Sequence, residues 1–257
     1  MLPAAKAASL PRLTAVDPAR DTFRHPAAAP HEPLRTFHPR RVGLGPVRQD
    51  ALRRLFPGLG FSVHDEAAPF PRTPDGMLDA AAMFGRTAPL VLEIGPGMGE
   101  ATVAMAAADP GRDVLAVEAH LPGVANLLKL LDEAGTGNVR VGHGDALDLV
   151  RRALAPDSLA EVRAFFPDPW PKARHHKRRL VQSAHVALLR SRLVVGGLLR
   201  TATDWPDYAD QMLEVLSSDP GLEPAPGAGA GRPVTAFERK ALAEGRTARD
   251  LVFRRVR

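Results

Sequence analysis

The stretch LVLEIGPGMGEATVAMAAA, residues 90–108, decides the fold of this chain. Its first five residues are apolar apart from Glu93, which is the length and composition of one buried strand. Glycines follow, and the Ala-rich text after Glu100 favours a helix. Glycines at a strand-to-helix turn let the backbone approach a ligand closely. A dinucleotide-binding turn reads G-x-G-x-x-G and would place its third glycine at position 100, where this chain has glutamate. The spacing is instead acid-x-G-x-G-x-G, set by Glu93, Gly95, Gly97 and Gly99. A pyrophosphate wants a bare helix N-terminus, whereas a cationic ligand is served by nearby carboxylates.

Working outward, strands are expected at residues 113–117, 138–141, 162–166 and 198–202, each followed by a helical stretch, with a last strand at 250–256. The helical stretches fall at 122–133, 147–154, 180–193 and 207–216. Strands alternating with helices at this spacing mean right-handed βαβ units. The expected fold is α/β: a doubly wound, mainly parallel, seven-stranded sheet. Upstream, short helices are expected at 47–56, closed by Pro57-Gly58, and at 75–84. Residues 1–40 are rich in Pro and Ala without apolar periodicity, and read as a disordered, basic N-terminal arm. Residues 41–257 then form the main domain with an N-terminal helical extension.

At 257 residues and 45% hydrophobic content, a sizeable core is affordable. The absence of cysteine excludes disulfide scaffolds, cysteine-ligated metals and cysteine nucleophiles. No apolar run approaches the ~18 residues of a membrane span, and the start lacks a signal peptide's unbroken apolar segment. A cytoplasmic protein without membrane or metal is expected, as monomer or homodimer. The net charge of +5 is unevenly placed: residues 1–60 hold ten Lys/Arg against four Asp/Glu. That excess suggests a polyanionic partner.

Further acids fall at strand ends, where an open α/β sheet places its ligand. Glu118 follows the second strand and suits a ribose diol; Asp145 follows the third and suits an adenine amino group. The fourth strand runs into FFPDPWPKARHHKRR, residues 165–179. Pro167, Pro169 and Pro171 hold Asp168 and Trp170 in a pre-organised loop. Five Lys/Arg and no acid lie between 172 and 179, a charge that calls for a phosphate at the helix start. Arg174, Lys177, Arg178 and Arg179, with Arg40 and Arg41 of the arm, are the candidate phosphate contacts. Trp170 suits either base stacking or packing.

The glycine turn resembles motif I of the S-adenosylmethionine-dependent methyltransferases. The segment 165–179 resembles the signature of the bacterial tRNA (guanine-N7-)-methyltransferases, as do Ala202-Thr-Asp-Trp205 with Tyr208, Arg232-Pro-Val-Thr-Ala-Phe-Glu238 and the ending from Asp250. The likeness covers about residues 35–257. It implies a Rossmann-like class I methyltransferase fold. It also implies methyl transfer from S-adenosyl-L-methionine to a guanine N7 in the tRNA variable loop. Glu93, Gly95, Gly97, Gly99, Glu118, Asp145 and Asp168 would then hold the cofactor, with Asp168 also the catalytic carboxylate. Lys172, Asp204, Thr235, Ala236, Phe237 and Glu238 would contact the RNA substrate. Ala236 departs from the polar residue common in relatives, and Pro171 from the histidine some carry. A nicotinamide enzyme fails on the glycine spacing. An amino-methylating enzyme fails because Trp170 follows Asp168-Pro169 directly. A noncatalytic RNA-binding protein on the same scaffold is the remaining alternative.

Overall fold

The computed structural model describes residues 35–37, 43–64, 69–229 and 231–257, and of Ala236 and Phe237 only the backbone. The basic arm, with Arg40 and Arg41, lies outside the described residues apart from 35–37. The chain enters through α1 (Pro46–Leu59), β1 (Gly60–Ser62) and α2 (Ala80–Phe84). The alternating part follows: β2 (Leu90–Ile94), α3 (Glu100–Ala108), β3 (Asp113–Glu118), α4 (Leu121–Ala134), β4 (Val139–His143), α5 (Ala146–Ala153) and β5 (Leu159–Phe165). A 3-10 helix (Ala173–Arg178) precedes α6 (Ser183–Arg192), β6 (Leu193–Thr203) and α7 (Pro206–Ser218). The chain then forms β7 (Leu222–Pro224), α8 (Ala236–Ala243) and β8 (Arg249–Arg255).

Side-chain alternation explains why helices cover both faces of the sheet. Leu90 and Leu92 of β2, with Leu115 and Val117 of β3, join one core with α5, α6 and α7. Val91, Val114 and Ala116 turn the other way, onto α4 and the apolar face of α1. The order is β1-β4-β3-β2-β5-β6-β8-β7, parallel from β1 to β6 and antiparallel where β8 joins β6 and β7. β2 therefore lies centrally, and the chain crosses from one half of the sheet to the other beside it. The cleft at that reversal is where such sheets bind ligands.

The sheet has eight strands rather than seven. Two are not among the strands expected: β1 and β7, three residues each at the two edges, paired to β4 and β8 and too short to show a period. The helix expected to stop at Phe56 runs through Pro57 to Leu59. A proline lacks only one backbone donor, and near the last turn a tertiary face can offset that loss. The helix expected over 75–84 shrinks to α2, because Asp79 caps it by accepting from the Ala82 N–H at 2.9 Å. Thr73–Met77 forms a turn, with Gly76 at φ 85°. Among the described residues no helix is long and apolar enough to cross a membrane, and no side-chain cluster has the makings of a metal site.

Candidate functional site

The turn after β2 requires its glycines: Gly95, Gly97 and Gly99 have φ of 69°, 62° and 89°, a region that side chains disfavour. The Gly97 N–H donates to Glu118 Oε2 at 2.9 Å, and the His120 N–H to Oε1 at 2.7 Å. Glu118 thus ties the end of β3 to the glycine turn. From outside, α4 closes on the same turn, with Asn126 Nδ2 donating to the Met98 carbonyl at 2.7 Å. Gly123 lets the helix approach, since a Cβ there would lie 2.4 Å from the Gly97 carbonyl oxygen and 3.0 Å from Glu118 Cγ.

Asp145 stands at the end of β4 and caps α5, accepting from the Leu147 N–H at 2.8 Å. Beyond β5, Phe166 (φ 53°) and Trp170 (φ 45°) flank Pro167, Asp168 and Pro169. Positive φ at a non-glycine residue costs about 1–3 kcal/mol, so surrounding contacts must impose this loop. Those contacts are visible. The Phe166 N–H donates to the Ala202 carbonyl at 2.7 Å, and the Arg232 guanidinium lies 4.9 Å from the Phe166 ring centre. Arg232 in turn is held by Glu238 and by Asp250 of β8, at 2.7 Å to the latter.

Glu93, Gly95, Gly97, Glu118, Asp145, Asp168 and Thr235 line one cleft of about 430 Å³, while Gly99 lies outside its wall, packed against Leu127 of α4. Burial raises the pKa of Glu93, Glu118 and Asp145 above the ordinary carboxylate values. Asp168 adds to the effect on Glu118 by its negative charge. Glu93 sits opposite Arg163 of β5 in the parallel register, and Arg163 favours its ionised form without overcoming burial. Arg163 is itself committed to the buried Glu161, at 2.7 Å, which also accepts from Arg112 and Arg200. Glu93 Oε2 is buried without a hydrogen-bond partner and belongs to the cleft wall.

Other sequence candidates fall elsewhere. Lys172, Arg174 and Lys177 are exposed at and along the 3-10 helix, and Arg178 lies 4.9 Å from the Trp170 ring centre. Arg179 is corrected: it is 1% exposed, with its guanidinium bonded within the protein, and does not present a charge to phosphate. Trp170 is also resolved as packing, 3% exposed, its Nε1–H donating to the Thr36 carbonyl at 3.0 Å. Asp204 pairs with Arg246 at 2.8 Å and Glu238 with Arg232; neither carboxylate nor Lys172 is part of the cleft wall. Thr235 caps α8, its hydroxyl accepting from the Glu238 N–H at 3.1 Å. Residues to which sequence reasoning gave no role in the site are Thr36 and Phe37, which line the cleft, and Gly123, Asn126 and Arg232. Gly123, directly after Pro122 inside a helical stretch, was the legible signal of a close approach.

The family model described as "Putative methyltransferase" matches residues 87–251. A tRNA (guanine-N(7)-)-methyltransferase of Streptomyces avermitilis is 47% identical over 232 residues, spanning 87% of this chain and 76% of that one. Another, from Halorhodospira halophila, is 47% identical over 226 residues, spanning 86% and 94%. Among solved structures, the 16S rRNA methyltransferase KamB superposes with a TM-score of 0.51 at 14% identity, covering 72% of this chain and 98% of that one, a likeness of fold alone. Identity at this level over most of both sequences, on a fold and cleft of this form, leaves one conclusion: the chain belongs to the tRNA (guanine-N(7)-)-methyltransferase family.

Proposed function

We propose that this protein transfers a methyl group from S-adenosyl-L-methionine to N7 of a guanine in the variable loop of tRNA, forming N7-methylguanosine. The observation that carries the reading is the meeting of four strand-end acids, Glu93, Glu118, Asp145 and Asp168, around one glycine-lined cleft. Exposed cations follow directly in sequence. The donor set fits the cofactor. Glu93 Oε2, buried and without a partner, suits a cationic amino group, and open space at Gly95 leaves room beside the backbone. Glu118 has lone pairs left for a ribose diol, and Asp145 for an adenine amino group.

When bound, the cofactor supplies an electrophilic methyl on a sulfonium. Guanine N7 carries a free lone pair, so no residue need remove a proton first. The chain's tasks are to align the base and exclude water. As the base becomes cationic, the Asp168 carboxylate offers charge where it develops and can accept from the guanine N1–H and amino group. Thr235 contributes from the cleft wall, while Asp204 and Glu238 act in concert with Arg246 and Arg232. The α8 backbone carries Ala236 and Phe237 to the same segment. Lys172, Arg174, Lys177 and Arg178, together with Arg40 and Arg41, supply cations for the RNA backbone. Incubation with unmodified tRNA and methyl-labelled cofactor, followed by nucleoside analysis, tests the reading. Label in N7-methylguanosine is expected; label elsewhere, or none, would overturn it.

Two consequences concern the cofactor side. In Gly123→Ala the added Cβ meets the Gly97 carbonyl and Glu118, so one must shift. Overpacking of this kind costs about 1–3 kcal/mol. Calorimetric titration should show cofactor affinity about tenfold weaker or worse, with the far-ultraviolet dichroism unchanged.

The second concerns pH. Glu93, Glu118 and Asp145 have native pKa values raised above 4.5, 4.5 and 3.8. Below those ordinary values they are protonated in both folded and unfolded chains. As pH rises through the raised native values, keeping them ionised and buried costs the ligand-free protein stability. A cationic ligand favours the ionised forms. Cofactor affinity should therefore rise with pH across that window, with protons released on binding. The thermal shift caused by cofactor should grow in the same direction. Equal heats in buffers of different ionisation enthalpy would contradict it.

A further inference from the structure

We propose that Arg179 is a positioning residue that sets the placement of Asp168 by clamping the loop after β5 to the N-terminal half of α7. The inference rests on the methyl-transfer reading above. Arg179 is among the largest fully buried side chains, and its three nitrogens go three ways. Nε donates to the Pro169 carbonyl at 2.8 Å, one residue beyond Asp168. The terminal nitrogens donate to Gln211 Oε1 and Asp207 Oδ2, each at 2.6 Å. The guanidinium also lies 4.7 Å from the Tyr208 ring centre.

The loop needs such an anchor. Phe166 and Trp170 hold positive φ, and Pro167 and Pro169 have no N–H to offer, so beyond the Phe166 N–H bond to Ala202 the loop draws restraint from carbonyls and side chains. The fork geometry of a guanidinium can hold a carbonyl, an amide and a carboxylate at once; an ammonium cannot match those three directions. α7 begins directly after Asp204 and Trp205, so the clamp joins the loop of Asp168 to the segment of Asp204. Of the two, the Asp168 loop lines the cleft, whereas Asp204 is paired with Arg246 outside its wall. Asp207 is 49% exposed, so one arm of the clamp is set from the surface.

The test uses Arg179→Lys, Asp207→Asn and the double variant, assayed with tRNA and saturating cofactor well below the melting temperature. Misplacement of reacting groups by about 1 Å costs up to about a hundredfold in rate. Arg179→Lys should lower kcat by about ten- to a hundredfold and Asp207→Asn by less. Cofactor Kd and the salt dependence of tRNA binding should stay unchanged. The double variant should fall little below Arg179→Lys, because both act on one clamp. If Arg179→Lys does not fold, Asp207→Asn and Gln211→Ala carry the same comparison. Turnover within twofold of wild type in the folded variants would overturn the proposal. So would a flattened salt slope at unchanged kcat in a charge-removing Arg179→Gln variant, which would return Arg179 to phosphate binding. A wild-type protein that does not methylate tRNA would instead refute the functional reading beneath it.

Discussion

Asp168→Asn should lower kcat by about a hundred- to a thousandfold, the usual cost of losing one electrostatic contact made in the transition state. The amide keeps the shape and loses the charge that offsets the developing cation on guanine. Asp168 stands close enough to Glu118 to raise its pKa, so the substitution also removes a repulsion from the cofactor wall. It removes a carboxylate facing a cationic cofactor as well, so cofactor affinity should weaken, but far less than turnover falls. Single-turnover rates with saturating tRNA and cofactor, beside calorimetric cofactor affinity, give both quantities. An asparagine variant that turns over at the wild-type rate would remove Asp168 from the mechanism.

The second large effect is on RNA. Lys172, Arg174 and Lys177 are exposed cations next to the Asp168 loop. Each phosphate contact contributes a slope of roughly 0.7–0.9 in log affinity against log salt. Replacing all three by Ala should flatten the slope by about 2–3 and raise the tRNA KM by more than tenfold at low salt, with cofactor affinity unmoved. Arg179 does not belong in this set, because its removal strips a buried network rather than a surface charge. An unchanged slope in the triple variant would place the RNA on another face.

The split between Arg179 and its neighbours shows where sequence reading stopped. Charge along 172–179 is uniform in the text; direction is not written there. The 3-10 helix ends at Arg178 and turns the next side chain inward, onto partners about thirty residues later. Trp170 stayed open for the same reason, since the acceptor of its indole N–H is Thr36, far off in the chain. The glycine turn and strand-end acids were legible because each is fixed by its immediate neighbours: a strand, a turn, a helix start. β1 was illegible because three residues carry no period, and its pairing with β4 is a long-range event.

The insertion of β8 between β6 and β7 bears on how the protein is made. β7 leaves the ribosome before the strand it pairs with, and β6 waits with an open edge until β8 arrives. Synthesis at about 5–20 residues per second leaves that edge exposed while the intervening chain is added. The glycine turn, β3 and the Glu118 tie can already be formed at this stage, but Arg232 still lacks Asp250, its anchor beneath Phe166. Assembly is therefore polarised: the cofactor half of the cleft matures on the growing chain and the base-facing half only when β8 docks. A stalled nascent chain would carry an unpaired strand edge, a template for association with other chains.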